Sequence, residues 1–308
     1  MMKSHILFLS LIGLVVVGSL SYLALKSGDR RGPQIVIEVL EGDLLSSNLF
    51  ELGGGNLSKI NFTDEGTLLS RARSLDLGVT VSVARLLNQI GTVLIVETER
   101  GSDILTDASS VKDSVSLSSQ GRFIAFAELA LPLGSTLYSE NITDWNVVVL
   151  DVVTETATTI GSGFRPFIVS EQPLLLVYST ASGVVLHDAT ANETVSLLED
   201  RPIVSTRHAA AVSPDGTHLA SYNPLTKTFS LFALSGEFPY TLSSVGEPPR
   251  LFEVVSLAND ALYGIARDEA TNVFTLWRYP FKNFVEPAVQ GELLYTFEAG
   301  ELPNAIIP

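Results

Sequence analysis

Histidine, the side chain most often used for acid–base and metal chemistry, occurs at only four positions: His5, His187, His208 and His218. No two of them stand at the spacing of a zinc-binding pair, and the chain has no cysteine to supply thiolate ligands. The sequence places no carboxylate to orient His208 as a base, so we interpret it as a structural histidine. These residues predict no metal site and no catalytic residue.

The glycine and serine motifs do not predict a phosphate-binding loop or a nucleophile turn either. Gly53-Gly54-Gly55 lacks the Lys-Ser/Thr pair of a phosphate-binding loop and is typical of a hairpin turn. A G-x-S-x-G nucleophile motif is absent from the sequence. We therefore expect no cofactor. Carboxylates leave one catalytic alternative open, because a glycosidase pair needs only two of them roughly 5 to 10 Å apart, a distance that sequence spacing does not reveal.

Charge and composition limit the kind of partner. The 308 residues are 46% hydrophobic, with 19 Lys and Arg against 34 Asp and Glu. Four of the basic and one of the acidic residues lie within residues 1–31, so the remainder carries 15 basic against 33 acidic residues. Such a surface repels the phosphate backbone, whose binding depends on Lys and Arg. Nucleic acid is not an expected partner.

A run of 20 uncharged residues, 6–25, lies near the N-terminus and is long enough for a helix to span roughly 30 Å of hydrocarbon. We expect a short tail (residues 1–5), a transmembrane signal anchor (6–25), a linker (26–32) and one folded domain (33–308). Two alternatives stay open: a signal peptide cleaved near Ser19-Leu20-Ser21, and a buried core helix.

The orientation of this anchor follows from two opposing signals. Lys26, Arg30 and Arg31 follow the span and only Lys3 precedes it, which by charge counting favours a cytoplasmic domain. Asp29 lies among the trailing charges, however, and a short basic N-terminus before an apolar run is typical of an export signal. We expect a single-pass membrane protein with an extracytoplasmic C-terminal domain.

From residue 33 onward the chain repeats one layout: an apolar strand, a turn centred on a serine, a second apolar strand, a loop and a third strand. The turn serines of four copies are Ser118, Ser170, Ser213 and Ser256, at intervals of 52, 43 and 43 residues. A period of 40 to 50 residues with three or four strands per unit is typical of a propeller blade. The length predicts an all-β propeller of six or seven blades, preceded by one transmembrane helix.

The clearest copy contains the segment Ser213-Pro214-Asp215-Gly216, which predicts a structural type I turn between two strands. Residues 208–234 resemble a WD40 repeat and the WD40-like repeats of TolB-type bacterial propellers. The resemblance is fair over residues 115–290. His208, Ser221 and Phe232 occupy places comparable to the buried WD40 hydrogen-bond network, but Phe232 cannot donate. This departure favours the looser bacterial class and implies a propeller fold.

Closure of such a ring needs strands from both ends of the chain in one blade. We expect the segments Ile35-Val36-Ile37-Glu38-Val39 and Leu293-Leu294-Tyr295-Thr296-Phe297 to supply them.

The first interval between turn serines, 52 residues, is longer than the other two because a loop, residues 131–144, is inserted there. This loop is a possible partner-contact region. It carries Leu133, Leu137 and Tyr138, with Trp145 beside it, a mixture typical of interfaces. We therefore expect a non-catalytic scaffold for a protein or glycan partner. The alternatives are a loop that only packs on a neighbouring blade, a polysaccharide hydrolase or lyase with carboxylates at the channel, and, by analogy with TolB-type domains, a helper in envelope assembly.

Overall fold

The described residues of the computed structural model fold into 24 β-strands and two short 3₁₀ helices. They are residues 33–41, 44–53, 56–60, 66–74, 77–86, 88–136, 138–198, 202–226, 228–234, 241–245, 251–281, 291–298 and 301–307. The predicted membrane span, residues 6–25, lies outside them. Within these ranges no helix is long and apolar enough to cross a bilayer.

The strands form six four-stranded antiparallel sheets, of which five are each built from strands consecutive in sequence. Sheet 2 comprises β4 (Gly66–Ser74), β5 (Val79–Leu86), β6 (Val93–Thr98) and β7 (Gly101–Ile104). Sheet 3 comprises β8 (Lys112–Leu117), β9 (Phe123–Leu129), β10 (Trp145–Asp151) and β11 (Thr156–Ser162). Sheet 4 comprises β12 (Phe164–Glu171), β13 (Leu174–Thr180), β14 (Gly183–Asp188) and β15 (Glu193–Leu198). Sheet 5 comprises β16 (Ala211–Val212), β17 (His218–Asn223), β18 (Thr228–Ala233) and β19 (Thr241–Val245). Sheet 6 comprises β20 (Leu251–Leu257), β21 (Ala261–Arg267), β22 (Phe274–Pro280) and β23 (Glu292–Thr296).

Sheet 1 is a composite of both ends of the described chain, in the order β24-β1-β2-β3. Its strands are β1 (Gln34–Glu41), β2 (Leu44–Gly53), β3 (Asn56–Ile60) and β24 (Glu301–Ile307). The all-β propeller class is thus confirmed, but the blade count needs correction. There are five blades continuous in sequence and one sheet assembled from the two termini, and the described residues contain no seventh sheet.

The expected closing strand also needs correction. The segment 293–297 largely coincides with β23, which pairs with β22 at the outer edge of sheet 6. The strand that pairs with β1 is β24, with Ile35 opposite Ile306. Pro303 lies inside β24, where it has no N–H to donate, and the register shifts between Val36 and Ile37 beside it. Because proline is rare inside strands, the sequence did not indicate β24, the strand that closes the ring.

The apolar core lies between neighbouring sheets, as expected when a single sheet cannot cover its own faces. Tyr222 and Phe229 of sheet 5 pack against Phe252 and Tyr279 of sheet 6, with the Phe229 and Phe252 ring centroids 4.5 Å apart. Other clusters join sheets 2 and 3, sheets 3 and 4, and sheets 6 and 1. The ring closes where β4 lies against β2 and β24.

The outer strands explain why the sequence showed three apolar strands per repeat rather than four. In β11 and β15 most residues are exposed, whereas the second strand of each sheet is largely buried. An outer strand packs against the next sheet over little of its length, so it needs few apolar side chains. The hydrophobic pattern of the sequence therefore indicates only the three inner strands of each blade.

A hydrogen bond between adjacent sheets recurs around the ring. In each case a backbone N–H of, or just before, an innermost strand donates to a side-chain oxygen of the preceding sheet. The four pairs are Val115 to Ser70 (3.2 Å), Ile168 to Ser116 (3.1 Å), Ala210 to Ser179 (2.8 Å) and Phe252 to Tyr222 (3.2 Å). These bonds satisfy N–H groups at sites where the innermost strand departs from regular pairing.

We expect Ser116→Ala to lower the free energy of unfolding by about 1 to 3 kcal/mol, because it leaves the buried Ile168 N–H without an acceptor. Ser196→Ala, on the exposed outer strand β15, is the matched control and should change stability by no more than about 0.5 kcal/mol. Urea unfolding of the two variants measures the difference. Equal midpoints would show that the bond between the sheets contributes nothing.

Candidate functional site

The antiparallel order of each sheet defines two faces of the ring. The connections from second to third strand and from each sheet to the next lie on one face, which we call the linker face. The hairpin turns from first to second and from third to fourth strand lie on the other, the turn face. Loops on a rigid scaffold commonly carry binding sites, and exposed apolar and charged side chains of the loops mark the candidate site.

The inserted loop 131–144 joins β9 to β10 and therefore belongs to the linker face. It is fixed to the linker between sheets 4 and 5: the Ile142 N–H donates to the Val204 carbonyl (3.3 Å), and the Thr206 N–H donates to the Glu140 carbonyl (2.8 Å). Asn141 forms an isolated β-bridge with Ser205. Two chain segments thus hold one another in place above the sheets.

Trp145 supports this loop from within. The side chain has no solvent exposure, and its indole Nε1–H donates to the Ser139 carbonyl at 2.8 Å. Its ring lies 5.2 Å from Tyr138 and 5.0 Å, edge-on, from Phe164. Trp145 is therefore an anchor of the predicted contact loop and does not itself reach a partner in this conformation.

Other apolar side chains of the loop and linker are exposed, and we call this group the loop–linker surface. It consists of Leu131 (39% exposed), Leu133 (45%), Tyr138 (36%) and Val204 (70%). Leu137, which the sequence analysis placed in the same contact region, lies outside the described residues. The surface is apolar at its exposed tips and rigidly held at its base, a combination found at recognition sites.

Charged side chains flank the loop–linker surface. Arg207 lies between two carboxylates, with Nη2 at 2.7 Å from Glu140 and Nη1 at 3.1 Å from Glu253. Arg267 also approaches Glu253, at 3.9 Å. Partial burial opposes the charged form of Arg207, but the two carboxylates raise its pKa overall. The nearby acids are thus held by arginines rather than set toward each other for acid–base work.

A second group of polar residues lies at the linker-face end of the innermost strands, which we call the channel mouth. Asp113 is the second residue of β8, and Arg165 is the second residue of β12. Burial raises the pKa of Asp113 and lowers that of Arg165 to about 10. The Tyr138 hydroxyl donates to Thr206 Oγ1 at 3.2 Å, and burial raises its pKa. One tyrosine therefore belongs to both the loop–linker surface and the channel mouth.

The described histidines do not converge on this mouth as a set. His187 Nδ1 bonds Thr194 Oγ1 (2.9 Å) and His218 Nδ1 bonds Thr217 Oγ1 (2.7 Å). His208 packs 5.7 Å from the Tyr222 ring, and burial lowers its pKa. Among the described residues no three His, Cys, Asp or Glu side chains are grouped to hold a metal ion.

The segment Ser213-Pro214-Asp215-Gly216 forms a turn between β16 and β17 on the turn face. The Gly216 N–H donates to the Ser213 carbonyl (2.8 Å), and Gly216 has φ +70°. Asp215 accepts from Ser213 Oγ (2.6 Å), and its own N–H donates to Asn259 (3.0 Å) in the equivalent turn of sheet 6. These contacts give the motif a role in joining blades, on the face opposite the candidate site.

Sequence reasoning missed the charged residues of the site: Asp113, Arg165, Arg207 and Glu253. A weak signal was available, since Arg165 is the one charged residue in the apolar segment 164–169 at the start of the strand. A charge inside such a strand needs a partner or a function. The partners themselves come from different sheets, so sequence spacing could not identify them.

Fold and site together define a β-propeller whose linker face carries an anchored loop and a polar channel mouth. No family model matches the sequence, and neither does any curated protein. Similarity is found instead among solved structures. TolB from Acinetobacter baumannii shares 12% identity with a TM-score of 0.59, over 90% of this chain and 67% of that one.

Two further structures show the same architecture. An oligogalacturonate lyase in complex with manganese is 12% identical, with a TM-score of 0.53, over 80% of this chain and 70% of that one. A chain of a nidogen/laminin complex is 9% identical, with a TM-score of 0.57, over 89% and 97%. The resemblance to TolB-type propellers is confirmed at the level of the fold, which is all that such low identity shows.

Proposed function

We propose that this chain is a membrane-anchored, extracytoplasmic propeller without catalytic activity, which binds a protein partner through its loop–linker surface. The observation that supports this most directly is the contrast between buried anchors and exposed tips. Ile142 and Trp145 are fully buried, whereas Leu133 and Val204 are 45% and 70% exposed. A loop that served only to pack on a neighbouring blade would turn its apolar residues inward.

The chemistry of the surroundings fits a protein partner. Exposed Leu, Val and Tyr side chains offer apolar contact, and the Arg207–Glu140 ion pair at the margin offers polar contact, as in a typical interface. The acidic excess of residues 32–308 favours a neutral or basic partner surface and disfavours nucleic acid. A glycan is the second kind of partner to test.

The partner experiment compares two valines on opposite faces. Val204→Asp places a charge in the loop–linker surface, and Val153→Asp places the same charge in the turn between β10 and β11, where the native valine is 74% exposed. The full-length chain would be cross-linked in its membrane, and the captured partner identified, purified and titrated. We expect Val204→Asp to weaken binding by at least about tenfold and Val153→Asp to leave it unchanged.

Equal affinity of the two variants would contradict the loop–linker surface as the contact region. If the captured partner were a polysaccharide, the proposed partner would be a glycan instead of a protein, and the proposed scaffold role would stand.

Anchoring and location rest on residues 6–25 and have their own test. Protease added to intact cells or spheroplasts should degrade the C-terminal domain and leave an anchored fragment, because an exported domain faces the protease. Full protection of the domain would contradict export. Release of the domain into the soluble fraction with a new N-terminus would favour cleavage over anchoring.

One observation supports the alternative that the chain is an enzyme. Asp113, Glu253 and His208 all lie on the linker face. A hydrolase or lyase would act on a polysaccharide there; one structural neighbour is a lyase of oligogalacturonate. The ion pairs of Glu253 with two arginines favour binding over acid–base chemistry. Appearance of new chain ends from an acidic polysaccharide, abolished by Glu253→Gln, would overturn the non-catalytic proposal.

A further inference from the structure

Two side chains of opposite charge lie at the channel mouth on neighbouring innermost strands. Asp113 is 9% exposed, and Arg165 is partly exposed. Each feels the charge of the other, yet the two described groups form no direct ion pair. Holding opposite charges apart in a recessed place is unfavourable, since a direct pair would offset part of their desolvation.

Both groups retain hydrogen-bonding capacity. The guanidinium of Arg165 has five N–H donors, and the described structure uses one of them, from Nη1 to the Ala209 carbonyl at 3.1 Å. The Asp113 carboxylate accepts the Ser114 N–H at 2.6 Å, with Ser70 and Tyr138 close by. A carboxylate offers about four acceptor positions. Asp113 can therefore accept a hydrogen bond from a ligand while Arg165 donates one to the same ligand.

The backbone at both positions adopts an uncommon conformation. Ser114 has φ +52° and Arg165 has φ +56°, in the left-handed region that non-glycine residues seldom occupy. Both lie where the register of the innermost strand shifts, in β8 after Asp113 and in β12 after Phe164. Such bulges redirect side chains and occur often beside functional sites, and the same irregularity in two adjacent blades directs both charges to the mouth.

We propose that the channel mouth binds a small organic acid that also carries a hydroxyl or amino group, with its carboxylate on Arg165 and its hydrogen-bond donor on Asp113. The planar guanidinium suits a carboxylate, and the Asp113 carboxylate accepts from the second group. Tyr138 and Thr206 line the same place through their hydroxyl groups. This ligand site goes beyond the proposed partner binding and shares Tyr138 with the loop–linker surface.

The charges also argue against other ligands. A metal cation would meet the positive charge of Arg165, and a phosphate would meet the negative charge of Asp113. A simple carboxylate would engage Arg165 but offer Asp113 no donor in addition to those that the protein supplies. Recognition at both points therefore predicts selectivity for a ligand that bears both groups.

The experiment measures thermal stabilisation and binding of the full-length chain in detergent with four probes. Lactate and L-serine carry a carboxylate and a donor, acetate carries the carboxylate alone, and ethanolamine carries donors alone. We expect lactate or serine to raise the melting temperature and to bind at least about tenfold more tightly than acetate or ethanolamine.

Substitutions in the chain then test whether the ligand binds at Arg165 and Asp113. Arg165→Lys and Asp113→Asn should each weaken the response to lactate or serine by at least about tenfold, while Arg122→Gln, in the turn between β8 and β9 on the opposite face, should retain it. Absence of stabilisation by both bifunctional probes would overturn the proposal, as would acetate acting as well as they do. A response that survived both variants would place the ligand elsewhere. If a variant failed to fold, the probe comparison in the native chain would still decide.

Discussion

Trp145→Ala should lower the free energy of unfolding by about 3 to 5 kcal/mol, because it removes a fully buried aromatic side chain and leaves a cavity. The loss extends beyond the core. The indole holds the Ser139 carbonyl and packs against Tyr138 and Phe164, so the loop 131–144 loses its internal support. The variant should therefore also expose this loop to protease and weaken partner binding.

Three measurements separate these effects. Urea unfolding gives the stability, limited proteolysis gives the site of first cleavage, and titration with the captured partner gives affinity. Trp145→Phe is the conservative comparison, since it retains most of the packing and loses the N–H donor. Trp277, the other tryptophan, can be changed to Phe to make fluorescence report on Trp145 alone. Unchanged cleavage in Trp145→Ala would contradict the anchoring role.

Ile306→Asp should destabilise the ring by several kcal/mol, because it places a charge in the cluster between sheets 6 and 1. Ile306 is 4% exposed and pairs with the fully buried Ile35 across the composite sheet. An ionised side chain there would have to pull β24 away from β1 to reach water. Opening this sheet breaks the ring where the two ends of the described chain meet.

Leu302→Asp supplies the matched control on the same strand. Leu302 is 41% exposed, so the same charge should shift stability by no more than about 0.5 kcal/mol. Thermal and urea unfolding of both variants would show the contrast, and loss of a single cooperative transition in Ile306→Asp would mark opening of the ring. Equal stability of the two variants would show that β24 does not close it.

The repeat strands were predictable because their pattern is local. The second and third strands lie where the 43-residue period indicated, and Ser118 and Ser213 begin the turns after β8 and β16. Ser170 and Ser256, in contrast, lie within β12 and β20, so the prediction of a serine-centred turn was wrong for these two copies. The confirmed features depend on side chains a few residues apart: Ser213 Oγ, for example, accepts the His218 N–H at 2.9 Å. Such contacts recur wherever the residues recur.

Other features were not visible because they depend on residues far apart in sequence. The closing strand β24 contains Pro303 and becomes a strand only because β1 offers its edge. The outer strands are polar because little covers them. Trp145, expected in a contact region, is buried because the loop folds back over it.

The class of fold follows from the sequence alone, since alternating apolar strands at a regular spacing must stack side by side to cover their faces. Which charges lie near one another depends on the folded ring. Asp113 and Arg165 come from adjacent sheets, and Arg207 joins a carboxylate of sheet 6 to one of the loop from sheet 3. Electrostatic partners depend on distance in space, and ring closure sets that distance independently of separation along the chain.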